Sequence, residues 1–262
     1  MILFGGMWVG AYNVAGIREG GPPVRSFLTI LGLAAVAAVA LAVVLAIVRA
    51  YFRSLGDRAR RRDLEAVAEE YGLRFSSGSH WEPPVQCLHL PLFRDAYGRE
   101  ARNLMMGHLA GQPAMVFQYE FFAGSGNPPK LQRYHVGLFK LPIDAPRLVV
   151  RSVQIQDVLA HWLGLDPIET ESEEFNRRYH VMCADRKFAF DICRPVVMEA
   201  LLDGEAVPVL EMEGRFLLMY DGPLASDKFA APAMSQRFLA VGRRILESIP
   251  EYVRHDHSPR DA

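Results

Sequence analysis

Residues 101–122 read ARNLMMGHLAGQPAMVFQYEFF and contain two apolar stretches that are separated by a glycine. In the second stretch every other residue is large and apolar: Met115, Phe117, Tyr119 and Phe121. This period of two is typical of a half-buried β-strand. The Gly-Gln pair at 111–112 is typical of a tight turn. The sequence therefore predicts a β-hairpin at this position.

Further strands are predicted on the C-terminal side of the hairpin. RYHVGLFKL at 133–141 and RLVVRSV at 147–153 are predicted as two strands, because Pro142 and Pro146 bracket a short connection between them. The glycine-rich AGSGNPPK at 123–130 resembles a phosphate-binding loop only superficially. Its two prolines remove backbone N–H donors where phosphate needs them, so a strand-to-strand connection is the better interpretation.

Helices and the remaining strands are predicted from periodicity and from end signals. Helices are expected at 57–73, at 155–163, after Asp185 as N-cap, from Pro195 to Gly204, and from Pro232 to Pro250. An acidic surface stretch at 168–174 precedes a strand at 178–184, and a last hairpin is expected around Glu213–Gly214. This order lacks the regular alternation of a doubly wound fold. It predicts an α+β domain with a largely antiparallel sheet and a C-terminal helix.

A second decisive stretch lies near the N-terminus. FLTILGLAAVAAVALAVVLAIV at 27–48 supplies 22 residues without a charge, Asn, Gln or Pro. A helix needs about 20 apolar residues to cross a bilayer. A soluble core helix is seldom apolar on every face for that length. The sequence therefore predicts one N-terminal transmembrane helix ahead of the α+β domain.

Arginines beside this run predict its orientation. The C-terminal flank carries Arg49, Arg53, Arg58, Arg60, Arg61 and Arg62, whereas the N-terminal flank carries only Arg18 and Arg25. The positive-inside rule then places the N-terminus outside and the C-terminal domain in the cytoplasm of a single-pass protein of the plasma (inner) membrane. A candidate contact with anionic lipids is formed by Arg58, Arg60, Arg61 and Arg62.

The predicted organisation has five parts. They are an extracytoplasmic tail expected to be poorly ordered (1–25), the transmembrane helix (26–52), a basic juxtamembrane helix (53–75), the cytoplasmic α+β domain (76–252) and a disordered polar tail (253–262).

Composition and cysteine content narrow the functional classes. The formal net charge is −1, so a global basic field that would mark a nucleic-acid partner is missing. The three cysteines are odd in number and form no CxxC, which favours a reducing compartment and buried thiols.

Chemistry-bearing motifs are sparse. His80, Cys87 and His89 lie close in sequence and are the candidate ligands for a metal-assisted hydrolase, but no HExxH or paired CxxC accompanies them. No GxSxG nucleophile motif is present. The sequence therefore favours a protein that is not an enzyme and has no cofactor.

A resemblance to a family supports the membrane prediction. The block ESEEFNRRYHVMCADRKFAFDICRPVVMEALL at 171–202 combines an acidic lead, Phe-Asn-Arg-Arg, an Asp and a Phe-Ala helix that ends in Leu-Leu. Together with the hairpin at 101–121, it resembles a family of uncharacterised single-pass bacterial membrane proteins of actinobacterial type. The similarity spans about residues 62–252. It implies no activity and no active-site residue.

Three functional hypotheses follow. The first is a membrane-anchored cytoplasmic binding or scaffold domain, whose partners are the lipid bilayer and either anionic lipids or another membrane protein. The second is the metal-assisted hydrolase. The third is an anionic-lipid-sensing module that uses the basic segment.

Overall fold

A computed structural model describes residues 24–78, 85–94, 97–123, 130–153, 166–204, 207–222 and 232–259. Side chains are described for these residues except 24–30, 32, 34, 52–57, 85 and 123. The chain divides into two compact units, Met1–Leu55 and Gly56–Ala262. The predictions for the N-terminal tail and for a helix at 155–163 fall outside the described residues, except for the last two tail positions.

Seven α-helices and six β-strands are described. The helices are α1 (Val24–Glu70), α2 (Pro91–Arg94), α3 (Glu173–Arg178), α4 (Arg186–Ile192), α5 (Pro195–Leu202), α6 (Pro232–Ser248) and α7 (Glu251–Asp256). The strands are β1 (Arg74–Ser76), β2 (Tyr97–Leu109), β3 (Gln112–Ala123), β4 (Lys130–Ser152), β5 (Tyr179–Cys183) and β6 (Val209–Asp221). A single 3-10 turn covers Val85–Cys87.

All six strands form one antiparallel sheet in the order β1-β2-β3-β4-β5, and β6 pairs with β4. The α+β class with a largely antiparallel sheet is therefore confirmed. The predicted hairpin at 101–122 is β2 and β3. The turn lies one residue earlier than the predicted Gly-Gln pair at 111–112, because Gln112 begins β3. Ala110 and Gly111 have φ of 48° and 76°, which is the positive-φ pair of a type I′ turn.

The longest strand, β4, holds the sheet together. Its first half pairs with β3 from Ala123↔Lys130 to Ala114↔Phe139, and its second half pairs with β5. The whole of β6 follows its other edge. The connection at 123–130 therefore joins two paired strands, as predicted.

Both β4 and β6 bend sharply near their centres. The Tyr220 hydroxyl donates to Glu211 Oε1 at 2.8 Å, although nine residues of straight strand would separate these two positions by about 30 Å. The pairing register shifts on both sides of Ala145, opposite Gly214, which has φ of 57°. The bend therefore lies at this irregularity and brings the two halves of β6 together.

The sheet has an apolar core on each face. The first core packs α1, α3, α4, α5, α6 and α7 against the sheet through side chains that include Leu64, Phe139, Phe175, Phe188 and Phe238. The second core is covered by the 3-10 turn and α2, and includes Cys87, Phe93, Phe117, Tyr119 and Leu218.

Helix ends follow the predicted signals. The Asp185 side chain accepts a hydrogen bond from the Phe188 N–H at 3.0 Å, and Pro195 occupies the first turn of α5. Gly72, with φ of 68°, follows the end of α1.

Two predictions about the strands were wrong. The stretches 133–141 and 147–153 belong to one strand. The register shifts around Ala145 leave residues 141–144 without a pairing partner in β6. Pro142 has no backbone N–H, and at this position the pairing with β6 does not require one. The hairpin predicted around Glu213–Gly214 is also one strand, whose halves both pair with β4.

Two predicted boundaries also differ from the structure. The basic helix expected at 53–75 is part of α1 only as far as Glu70, and Arg74–Ser76 form strand β1. Leu64, Val67 and Ala68 of this segment are buried in the first core. The polar tail expected from 253 begins as helix α7, because Val253 is 1% exposed and fixes this turn to the core. The acidic stretch at 168–174 contains the start of α3, whose N-cap is Ser172.

Among the helices that the structure describes, none meets the combined length and hydropathy required of a membrane span.

Candidate functional site

The apolar run of α1 is unusual because its side chains are exposed. Every residue from 35 to 48 is exposed, and all of them are Ala, Val, Leu or Ile. Val36 is 68% exposed, Leu41 is 60% exposed and Ile47 is 62% exposed. Fourteen residues make almost four helical turns, so the apolar surface covers every face of this segment. A patch of this size marks an interaction with an apolar environment.

The four arginines predicted to contact anionic lipid lie further along α1. Arg58, Arg60, Arg61 and Arg62 are all exposed. Leu64, two positions after Arg62, is buried. Side-chain exposure is the property that a contact with an external anion requires of these arginines. The lipid contact itself stays a prediction.

A groove lies on the second face of the sheet, and we call it the sheet groove. Its floor is built by three strands: Met115 of β3 lies opposite Leu138 of β4, and Lys140 of β4 lies opposite Phe216 of β6. These residues share one face because alternate strand positions point the same way. The cavity measures about 590 Å³, and its lining is Gln86, His89, Pro113, Met115, Leu138, Lys140, Asp144, Gly214, Arg215 and Phe216.

The rim of the sheet groove carries more positive than negative charge. The lining contains two cations, Lys140 and Arg215, and one acidic residue, Asp144. In the described part of the chain, neither cation forms an ion pair. His89 is exposed at the opposite wall. The groove therefore offers an apolar floor together with two cations that form no ion pair with any residue the structure describes.

A second cavity of about 590 Å³ lies between α5 and α6. Its charged lining contains three acids and three arginines: Glu199, Asp203, Arg237, Arg243, Arg244 and Glu247. Arg237 Nη2 donates to the carbonyl of Leu201 at 3.0 Å, and burial lowers the pKa of its guanidinium. Arg243 lies over the Tyr71 ring at 5.0 Å. Two of its three arginines thus have structural contacts, so this cavity is a weaker candidate for ligand binding.

Of the three predicted metal ligands, the structure describes Cys87 and His89, which differ in burial. Cys87 is fully buried in the second core, and burial raises the pKa of its thiol to about 12. His89, two residues later, is exposed, and His80 lies outside the described residues. Among the described residues, no group of three or more His, Cys, Asp or Glu is arranged to hold a metal ion. The metal-assisted hydrolase therefore stays a prediction.

All three cysteines are free and buried, as expected for small apolar side chains: Cys87, Cys183 and Cys193. Burial also raises the pKa of the Cys193 thiol to about 12. Such thiols are chemically inert in the folded state.

The carboxyl of Glu211 is an ionisable group in the interior of the α+β unit. Glu211 is 3% exposed and accepts the hydrogen bond of Tyr220 through Oε1, while its Oε2 has no hydrogen-bond partner among the described residues. Burial raises the pKa of this carboxyl, although the Tyr220 hydrogen bond and the charge of Arg147 act in the opposite direction. Glu211 does not line either cavity, so we treat it as a structural acid.

Comparisons with known proteins give one match. No family model matches the chain, and no curated protein matches it. The chain is similar in fold to the crystal structure of the mycobacterial trehalose monomycolate transport factor A, TtfA, with a TM-score of 0.44 and 12% sequence identity. The alignment covers 74% of this chain and 97% of that chain. At this level the likeness assigns no function.

Sequence reasoning missed the sheet groove. Its floor joins residues 23 to 101 positions apart, and only the pairing of three strands brings them together. The apolar alternation that includes Met115 identified the correct face of β3. Lys140, at the end of the apolar stretch of β4, is the residue in the sequence that indicates a charge beside this face.

Proposed function

We propose that this chain is a single-pass, membrane-anchored binding protein whose α+β unit carries the recognition surface. The observation that carries the proposal is the exposure of fourteen consecutive apolar residues at 35–48. Water solvates such a surface poorly, since each buried square ångström of apolar area is worth about 25 cal/mol. The uninterrupted apolar sequence of 27–48 matches the length of a bilayer core.

Orientation follows from the arginines. Six arginines follow the run and two precede it, so we propose that residues 56–262 lie in the cytoplasm. Three buried, free cysteines suit that reducing compartment.

Membrane extraction tests the anchor. We expect the double substitution Leu41→Lys with Val44→Lys to move the chain from the carbonate-resistant membrane fraction to the soluble fraction, because each lysine at the centre of a span costs about 3 kcal/mol. The matched control is Glu65→Lys with Glu69→Lys, which adds the same residues at exposed positions of α1 outside the run. If carbonate releases the unsubstituted chain, the run binds a protein partner and not the bilayer core, and the proposal fails.

Labelling of an introduced cysteine tests the orientation. The native cysteines are buried and should stay silent, so Glu69→Cys is the only site open to a membrane-impermeant maleimide. We expect no labelling in intact cells and complete labelling after lysis. Labelling of intact cells would place this unit outside and overturn the orientation.

The exposed arginines favour a second role for α1. Each Arg near an anionic leaflet adds about 1 kcal/mol of attraction. Arg58, Arg60, Arg61 and Arg62 therefore support a contact with anionic headgroups beside the anchor.

A further inference from the structure

We propose that the sheet groove binds a single-chain amphiphile with an anionic head, whose tail lies on Met115, Leu138 and Phe216 and whose head meets Lys140 and Arg215. The inference deepens the proposed function, because it supplies the ligand class of the binding unit.

The floor of the groove determines the preference for an aliphatic tail. Leu138 is 3% exposed and rigid within the central pair of strands, whereas Met115 and Phe216 are half-buried and line the open side. The flexible thioether of methionine adapts to irregular aliphatic shapes. The volume of about 590 Å³ lies within the range of about 300–1,000 Å³ that is typical of small-molecule sites. The site is therefore large enough for a lipid-like tail and small for a folded protein surface.

The charges at one end of the floor determine the preference for an anionic head. Lys140 continues the row of Leu138 along β4 and lies opposite Phe216 of β6. Arg215 lines the groove at the irregular part of β6 beside Gly214, so both cations lie towards the same end of the apolar strip. Neither has an ion pair among the described residues, and Asp144 alone cannot neutralise both. A carboxylate or phosphate placed there gains charge-assisted hydrogen bonds.

The second cavity offers a contrast within the same unit. Its three arginines face three acids, and Arg237 and Arg243 have contacts of their own. Arg244 is exposed and belongs to that lining, so it provides a matched arginine outside the sheet groove.

A fluorescence titration tests the proposal on the full chain in nanodiscs of zwitterionic lipid. Pro113→Cys places an exposed attachment point for an environment-sensitive fluorophore on the groove wall, and the buried native cysteines stay unlabelled. The probes are decanoate, decanol of equal length and acetate, and empty nanodiscs measure partition into the lipid. We expect saturable binding of decanoate, at least tenfold weaker binding of decanol, and no response to acetate.

Substitutions then assign the binding to the groove. Lys140→Gln with Arg215→Gln should weaken decanoate binding about tenfold and leave decanol unchanged, whereas Arg244→Gln should change neither. Met115→Trp should fill the floor and remove both probes. If Met115→Trp does not fold, the pair at Lys140 and Arg215 still decides the question.

Several results would overturn the proposal. They are the absence of decanoate binding, equal binding of decanoate and decanol, an acetate response as strong as that of decanoate, or displacement only by an acidic aromatic peptide, which would identify a protein partner. Incorporation into nanodiscs reports the membrane anchor separately. A chain that is anchored but does not bind decanoate therefore refutes the groove ligand alone.

Discussion

At the scale of single residues, one buried hydroxyl connects two elements. Tyr179 is 2% exposed; its hydroxyl donates to the Leu201 carbonyl at 3.0 Å and accepts from the Val207 N–H at 3.2 Å. We expect Tyr179→Phe to lower the free energy of unfolding by about 1–3 kcal/mol, because the buried Val207 N–H loses its acceptor and the Leu201 carbonyl keeps only its bond from Arg237. Urea titration of the full chain measures the change. The extent of unfolding at each urea concentration is read from the labelling of the cysteines that are buried in the native state.

The control for this prediction is Tyr252→Phe. Tyr252 is 50% exposed, and its hydroxyl donates to Asp191 Oδ1 at 2.6 Å, so water can replace that partner. We expect a change below about 0.5 kcal/mol. Equal losses in the two variants would contradict the account given for Tyr179.

Glu211 gives the molecule a pH dependence with a definite sign. Burial raises the pKa of this carboxyl in the folded chain, so the native state holds the proton more tightly than the unfolded state does. Its contribution to stability is complete below the unfolded pKa and is lost as pH rises through the folded pKa. We therefore expect the stability of Glu211→Gln relative to the natural chain to increase as pH rises from the ordinary pKa of a glutamate to neutrality.

Urea midpoints at both ends of that range measure the effect. Gln keeps an acceptor for the Tyr220 hydroxyl, so the substitution removes the charge and little else. Glu213→Gln, at a half-exposed neighbouring position, is the control for the general effect of charge. A pH-independent difference between Glu211→Gln and the natural chain would refute the prediction.

At the scale of elements, α6 approaches β4 closely at a glycine. A Cβ on Gly242 would lie 2.7–3.1 Å from three ring atoms of Phe139, which is itself fully buried. Alanine would improve helix propensity by about 1 kcal/mol, but overpacking a rigid core costs about 1–3 kcal/mol. Because the other side of the ring lies against Gly137, we expect the clash to win and Gly242→Ala to lower the unfolding midpoint.

A double-mutant cycle checks the cause of that loss. Phe139→Leu removes the ring that a new methyl would meet, so Gly242→Ala should cost less in that background than in the natural chain. An identical cost in both backgrounds would show that the ring does not limit the approach of α6.

Elements also show what the sequence could and could not predict. The β2–β3 hairpin and the N-cap Asp185 depend on neighbours in sequence, and both predictions were correct. Pairing over distance is different. Pro142 and Gly214 indicate breaks locally, yet β4 and β6 continue through them, because a shift of register relieves the proline and the glycine bends the strand. The sheet groove depends on that pairing and so was not visible in the sequence.

At the scale of the whole molecule, the balance of arginines across the apolar run should set its orientation. Six arginines follow the run and two precede it. Changing Arg58, Arg60, Arg61 and Arg62 to Gln leaves 6 − 4 = 2 on the C-terminal side, equal to the two on the N-terminal side. With the bias removed, we expect a mixed population, in which part of the chain exposes residues 56–262 on the outer side.

The Glu69→Cys label measures that population as the fraction modified in intact cells. The matched control changes four exposed arginines far from the run, Arg177, Arg186, Arg215 and Arg244, to Gln and should keep one orientation. The four arginines are exposed and none belongs to the core that contains Leu64, Val67 and Ala68, so Gln at 58 and 60–62 removes no core side chain. A single orientation in the neutralised chain would show that the folded α+β unit, and not the arginines, decides which side it occupies.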